Sequence, residues 1–385
     1  MSKRTKRTFS ANFEFIFAGV LLMISFSTIA AESASQTFNL SNRGPLAVET
    51  LEFPDLVDVH RSGYEQTASR MCRLRGICAR EKNLLAGKER RVPIKVHIPA
   101  TGGPYPIVIV SHGAGGNWDT HYGQAQHLAS HGYAVLCLEH VGSNTDRLTS
   151  SIRLMDNLNI MIRDPEEVLG RPKDVSFAID QAMKWNQWRK SLHGRLDSKH
   201  IGVLGHSFGA FTTMVVCGMR PALNWLEPPV APGKGLGPNF RDARIACGVA
   251  LSPQGPAEPF FIKESFASLN APLLGISGDE DQQHGGLPPM NRYMAFSLWP
   301  SKQGQHKFVW LANAHHLDFT DPKGVEKRSL RSANREDVQT VVRAATLAFF
   351  NTCLKADRLA AENLSTRGLQ TYLRGSVDSV EVRSK

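Results

Sequence analysis

The chain has 385 residues, 42% of them hydrophobic and 21% charged, a balance that fits a folded globular protein and excludes a disordered or fibrous one. Its formal net charge is +10, yet no basic run is interleaved with aromatic residues, so nucleic acid is not an expected partner. The length could hold two domains, although α/β folds of this size are commonly one.

Residues 1–31 read as a signal peptide. Lys3, Arg4, Lys6 and Arg7 precede an apolar core at 15–26, and Thr28, Ala30 and Ala31 supply small residues for cleavage. That core is shorter than the about 20 residues that span a bilayer, so export with cleavage is expected rather than anchoring. A periplasmic or secreted protein without a transmembrane segment in its mature form follows. Six cysteines suit an oxidising compartment. Cys72 and Cys78 lie close together in a polar, Arg-rich segment where they could pair, whereas Cys137 and Cys247 sit in apolar runs and read as core residues. None of the spacings makes a zinc site, and neither a metal nor an organic cofactor is expected.

Residues 32–90 form an N-terminal arm, extended up to about 55 and helical over 64–80. Alternation over 91–99 predicts a strand, and Thr101-Gly102-Gly103-Pro104 a turn. The unbroken apolar run 106–110 predicts a strand buried on both faces of a parallel sheet. It ends in Ser111-His112-Gly113-Ala114-Gly115-Gly116. A helix at 120–131 and a strand at 133–138 follow, then Glu139-His140, where a structural role is favoured for His140. A helix is predicted over 172–190.

Next comes Ile201-Gly202-Val203-Leu204-Gly205-His206-Ser207-Phe208-Gly209-Ala210, a buried strand that passes through G-x-S-x-G into a helix at 210–219. This is a nucleophile elbow: a sharp strand-to-helix turn exposes the serine hydroxyl, and the flanking glycines give it room. Residues 221–242 are rich in Pro, Gly and bulky side chains and read as an insertion shaping the substrate mouth. Further buried strands are predicted at 246–253, 272–277 and 307–311, with a closing helix over 335–354. The polar tail, 358–385, carries no recognisable chemistry.

A serine needs a base within reach, and the base needs an orienting carboxylate. In α/β-hydrolases these follow the serine in the order acid, then histidine, each beyond the end of a later strand. Asp281 and Asp279 follow the 272–277 strand, and His316 and His315 follow the 307–311 strand, so both pairs are candidates. One oxyanion donor in such folds is the N–H after the nucleophile, here Phe208. The second comes from an earlier His-Gly loop, here at Ala114.

The stretch Pro-Ile-Val-Ile-Val-Ser-His-Gly-Ala-Gly-Gly, the Leu128-Ala-Ser-His-Gly-Tyr-Ala-Val segment and Gly-His-Ser-Phe-Gly resemble the platelet-activating-factor acetylhydrolase type II family. They are also similar to bacterial predicted dienelactone hydrolases, although true dienelactone hydrolases use a cysteine where this chain has Ser207. The resemblance spans about residues 92–319. It implies an α/β-hydrolase fold, a mostly parallel central sheet with helices on both faces, over residues 91–357. The family's Gly-x-x-Asp turn matches Gly278-Asp279-Glu280-Asp281 and selects Asp281. Its His-x-x-Phe pattern matches His316-Leu317-Asp318-Phe319 and selects His316, and its oxyanion donors fall at Ala114 and Phe208. The expectation is a secreted serine carboxylester hydrolase with a small-molecule ester substrate, a lipid surface being one possible source. Lipase or phospholipid acetylhydrolase, polyester hydrolase, acyltransferase or amidase action, and silent binding on a hydrolase fold, are the alternatives.

Overall fold

The computed structural model describes residues 39–62, 89–302, 305–321 and 335–385. The signal peptide at 1–31, the helix at 64–80 and the Cys72–Cys78 pair lie outside the described residues. Strands are β1 Val48–Phe53, β2 Val57–Ser62, β3 Glu89–Arg91, β4 Ile94–Pro99, β5 Tyr105–Ser111, β6 Ala134–Leu138, β7 Leu196–His206, β8 Ile245–Leu251, β9 Leu273–Glu280, β10 Lys307–His315 and β11 Val380–Ser384. Nine of them make one sheet in the order β1-β4-β6-β5-β7-β8-β9-β10-β11, while β2 and β3 pair separately. From β6 through β10 every pairing is parallel, and the flanking pairs β1–β4, β4–β6 and β10–β11 are antiparallel.

The apolar runs account for the sheet. In β5, Ile107 and Ile109 face one core with Val175, Ala178 and Ile179 of the Arg171–Trp188 helix, while Val108 and Val110 face another with Ala125 and Leu128 of the Tyr122–Ser130 helix. Successive strand residues point to opposite faces, so a strand covered on both sides must be apolar at every position. The Arg335–Leu354 helix covers the second face, with Val338, Val341, Val342 and Ala345 buried at helical spacing. A mostly parallel sheet between two helical layers, with a strand–serine–helix turn at the C-terminal end of β7, is an α/β-hydrolase fold.

Two regions differ from the sequence expectation. Residues 358–385, read as a polar C-terminal tail, fold onto the domain: around the Arg358–Asn363 and Thr366–Gln370 helices Leu364, Leu369 and Tyr372 are buried, and β11 pairs with β10 from Lys307↔Ser384 to Leu311↔Val380. Val-Glu-Val-Arg alternates as an edge strand does, but four residues among charged neighbours are a weak signal. At the other end, residues of the extended arm form edge strand β1 against β4. Pro93 interrupts the predicted 91–99 strand near its start, so that β3 stops at Arg91 and β4 begins at Ile94 and runs to Pro99.

Candidate active site

β7 drives straight into the Phe208–Val216 helix through Ser207, whose φ of 56° and ψ of −114° are strained for a residue with a side chain. The neighbours explain the glycines. A Cβ on Gly205 would run into the carbonyl of Gly209, and one on Gly209 into the carbonyl of Ser111. The elbow and the loop after β5 therefore touch backbone to backbone.

Ser207 meets a histidine and a carboxylate. Ser207 Oγ is 3.0 Å from His316 Nε2, and His316 Nδ1 is 2.7 Å from Asp281 Oδ1. Asp281 is fully buried, and its second oxygen accepts a 2.8 Å bond from Ser277 Oγ. Burial alone would raise the Asp281 carboxyl, but Arg292 and then His316 outweigh it and hold its pKa well below the usual carboxylate range. Asp279 is instead exposed and accepts from the Asn313 amide at 2.6 Å; His315 is exposed and its amide bonds Asp318 at 2.9 Å. The structure thus brings together Ser207, Asp281 and His316, and leaves Asp279 and His315 outside.

Two further side chains at this cluster have no sequence signature. Arg292, from the Met290–Leu298 helix, is 1% exposed and lies 3.2 Å from Asp281 Oδ1. It donates to the carbonyls of Asp281 at 2.9 Å, Ser252 at 3.0 Å, Pro253 at 3.1 Å and Gln282 at 2.9 Å. Those acceptors come from the ends of two strands, so no linear pattern announces it. His206, the second residue of the elbow motif, donates from Nε2 to the His316 carbonyl at 2.9 Å. Burial, then the neighbouring His316 and His121, push its pKa well below the ordinary histidine value, so it sits neutral.

The loop His112-Gly113-Ala114 lies beside the elbow: a Cβ on Gly113 would meet His206 at 3.4 Å and Ser207 at 3.5 Å. Phe208 is the first residue of its helix, so its N–H has no intrahelical acceptor. Gly115, at a φ of 77°, turns the loop and donates to Ser143 at 2.8 Å. His140 does not line the cavity. It is buried between Asp174 at 2.8 Å and Ser111 Oγ at 2.9 Å, and burial, with Arg171 adding, lowers its pKa to about 4.

A cavity of about 310 Å³ opens over Ser207, near the lower end of the range for small-molecule sites. Its lining is apolar at Ala114, Met155, Leu158, Ile162, Phe208 and Phe260, and polar at Gln254, Gln282, Gln283, His284, Arg292 and His316. The expected mouth insertion, 221–242, contributes no lining residue. It bonds to the backbone around the lining instead, Ala222 donating to the Phe260 carbonyl at 2.8 Å and Glu227 to that of Arg163, next to Ile162, at 2.9 Å. The Leu154–Met161 helix and Ile162 take that place. Leu154, Leu158, Met161 and Ile162 recur at helical spacing, the signal that would have found it.

A family model described as "Platelet-activating factor acetylhydrolase, isoform II" matches residues 73–153, a segment that includes the His112–Gly116 loop but ends before the elbow. Platelet-activating factor acetylhydrolase of Cavia porcellus is 23% identical over 341 residues, covering 80% of this chain and 71% of the relative. The protein of the same name from Canis lupus familiaris is 23% identical over 252 residues, covering 57% of this chain. The chain spans 49% of the length of that second relative. No helix among the described residues is long and apolar enough to cross a membrane.

Proposed function

We propose that the protein is an exported serine carboxylester hydrolase acting on esters with small or short acyl groups. The observation that carries this reading is the unbroken Ser207–His316–Asp281 chain of hydrogen bonds, 3.0 and 2.7 Å long, at the floor of a cavity. Ser207 Oγ attacks the ester carbonyl carbon while His316 Nε2 takes its proton. The carbonyl π electrons move to oxygen, where the N–H groups of Phe208 and Ala114 receive the developing charge. Asp281 fixes the His316 tautomer and stabilises the imidazolium. Collapse of the intermediate breaks the bond to the leaving alcohol, which collects the proton from His316, and water then repeats the cycle on the acyl-enzyme. Residues 1–31 direct export, and the chain itself supplies every group this scheme needs.

A lipid-borne ester is a second reading with support of its own. Both relatives carry the name platelet-activating factor acetylhydrolase. Apolar side chains are also exposed next to the cavity: Met155, which lines it, is 64% exposed, and Leu317, adjacent to His316, is 56% exposed.

The test is hydrolysis of p-nitrophenyl esters from acetyl to decanoyl by the wild-type chain and by Ser207→Ala. Serine-dependent cleavage that declines with acyl length supports the short-acyl reading, and preference for long acyl chains moves it to lipids or polymers. Turnover that persists in Ser207→Ala overturns the mechanism.

A further inference from the structure

Arg171 is the first residue of the Arg171–Trp188 helix, yet it is completely buried. Its guanidinium donates from Nη1 to the His112 carbonyl at 2.8 Å and from Nε to Ser143 Oγ at 2.9 Å, and Nη2 lies 3.3 Å from His112 Nδ1. Its Cζ stands 4.1 Å from the centroid of the Phe208 ring. Among the described residues no carboxylate pairs with it directly. Glu167 is one step removed, accepting from Ser143 Oγ at 2.5 Å while it pairs with Arg90 at 2.6 Å.

Those contacts converge on one place. The His112 carbonyl belongs to the peptide just before the Gly113–Ala114 unit, and Phe208 carries the other candidate donor. One side chain therefore grips the loop and the elbow helix together, next to the point where Gly209 meets the Ser111 carbonyl. A conventional structural arginine would be neutralised by a carboxylate in contact, as Arg90 is by Asp174 and Glu167. Arg171 instead leaves its charge facing a carbonyl, a hydroxyl, an imidazole and an aromatic ring.

We propose that Arg171 is the positioning residue of the oxyanion hole, holding the Ala114 and Phe208 donors in register and adding a fixed positive charge behind them. The inference rests on the serine-hydrolase reading above. Burial lowers the Arg171 pKa to about 9 against the pull of Glu167 and Asp174, so the group is still cationic at neutral pH. A fixed cation in a water-poor site interacts more strongly with charge that develops nearby than it would in water. It acts on the tetrahedral state and little on the neutral ester.

The experiment compares Arg171→Met, Arg171→Lys, Phe208→Leu and Ser207→Ala in the full chain. Readouts are kcat and KM on p-nitrophenyl acetate and inhibition by an alkyl trifluoromethyl ketone. That ketone adds Ser207 Oγ at its carbonyl carbon, passes the serine proton to His316 and places an oxyanion in the hole. Arg171→Met is expected to lower kcat about 100-fold, the scale of losing or misplacing one oxyanion donor, with KM within about threefold. Ketone affinity falls in parallel, and Arg171→Lys recovers at least about tenfold in both. A folded Arg171→Met with kcat within about threefold of wild type, or with a change confined to KM, overturns the proposal. Should Arg171→Met not fold, Phe208→Leu decides, because it keeps the backbone N–H and removes the ring. Unchanged kcat and ketone affinity in that variant overturn the proposal, and a joint loss of about tenfold upholds it. Ser207→Ala separates the two levels: an inactive Ser207→Ala beside normal Arg171 variants refutes only the role of Arg171, whereas an active Ser207→Ala refutes the mechanism beneath it.

Discussion

Arg292→Met removes a cation that touches the Asp281 carboxylate and four backbone carbonyls while keeping an apolar side chain of similar length. Arg292 is 1% exposed and Asp281 is fully buried, so water does not replace the lost donors cheaply. Removing one partner of a buried, hydrogen-bonded ion pair typically costs about 3–5 kcal/mol. For a chain of 385 residues, at about 2.1 cal/mol/K of unfolding entropy per residue, that lowers Tm by about 4–6 °C. The pH dependence carries the sign. A carboxyl depressed in the folded state contributes stability that is present above its unfolded value near 3.9 and lost as pH falls through the folded value. Arg292 is the first-ranked neighbour holding Asp281 down, so the variant keeps less of that contribution. The gap in Tm between wild type and variant is therefore widest near pH 6–7 and narrows below about pH 4. Thermal unfolding followed by circular dichroism between pH 3 and 7, with esterase activity at each pH where both fold, measures it. A variant with wild-type Tm at pH 7, or a gap that widens on acidification, would show that Arg292 does not stabilise the Asp281 carboxylate.

Three shorter predictions accompany it. Asp281→Asn lowers kcat about 10⁴-fold by stabilising the wrong His316 tautomer, whereas Asp279→Asn, at an exposed site, leaves it within about twofold; steady-state kinetics of both variants checks this. Phe260→Ala removes a bulky lining ring and shifts the optimum acyl length upward by about two to four carbons, at about 3–5 kcal/mol of stability because Phe260 stacks on Phe208 and Phe211; the ester series reads the first and thermal unfolding the second. Deleting residues 380–385 strips β11 from β10 and exposes Val309 and Leu311 at a new edge, so the truncated chain shows lower Tm and aggregates on size-exclusion chromatography, where an unordered tail would change neither.

The parallel strands were legible because burial on both faces demands an uninterrupted apolar run, as in 106–110. The elbow was legible because a close backbone approach at Gly205 and Gly209 tolerates no side chain. Asp281 and His316 stood out by their place after β9 and β10, but their separation from Asp279 and His315 came only with the family pattern. What escaped depends on contacts between distant segments. Arg292 collects carbonyls from Ser252, Pro253, Asp281 and Gln282, and Arg171 joins His112 to Phe208, so each looks in sequence like one more surface cation. The 221–242 segment misled for the reverse reason. Its composition marks an irregular excursion, but composition carries no direction, and the excursion bonds to the Phe260 backbone rather than lining the cavity over Ser207. The last strand was hidden because an edge strand alternates polar and apolar residues over a length that chance also produces.

The central claim, that Ser207 is the nucleophile of a His316–Asp281 relay, is tested most directly by covalent trapping. The chain is treated with a fluorophosphonate, digested, and the adduct located by mass spectrometry. One adduct per chain is expected, on the peptide bearing Ser207, in step with loss of esterase activity and absent from Ser207→Ala. An adduct on another residue, or full inhibition with Ser207 unmodified, would contradict it.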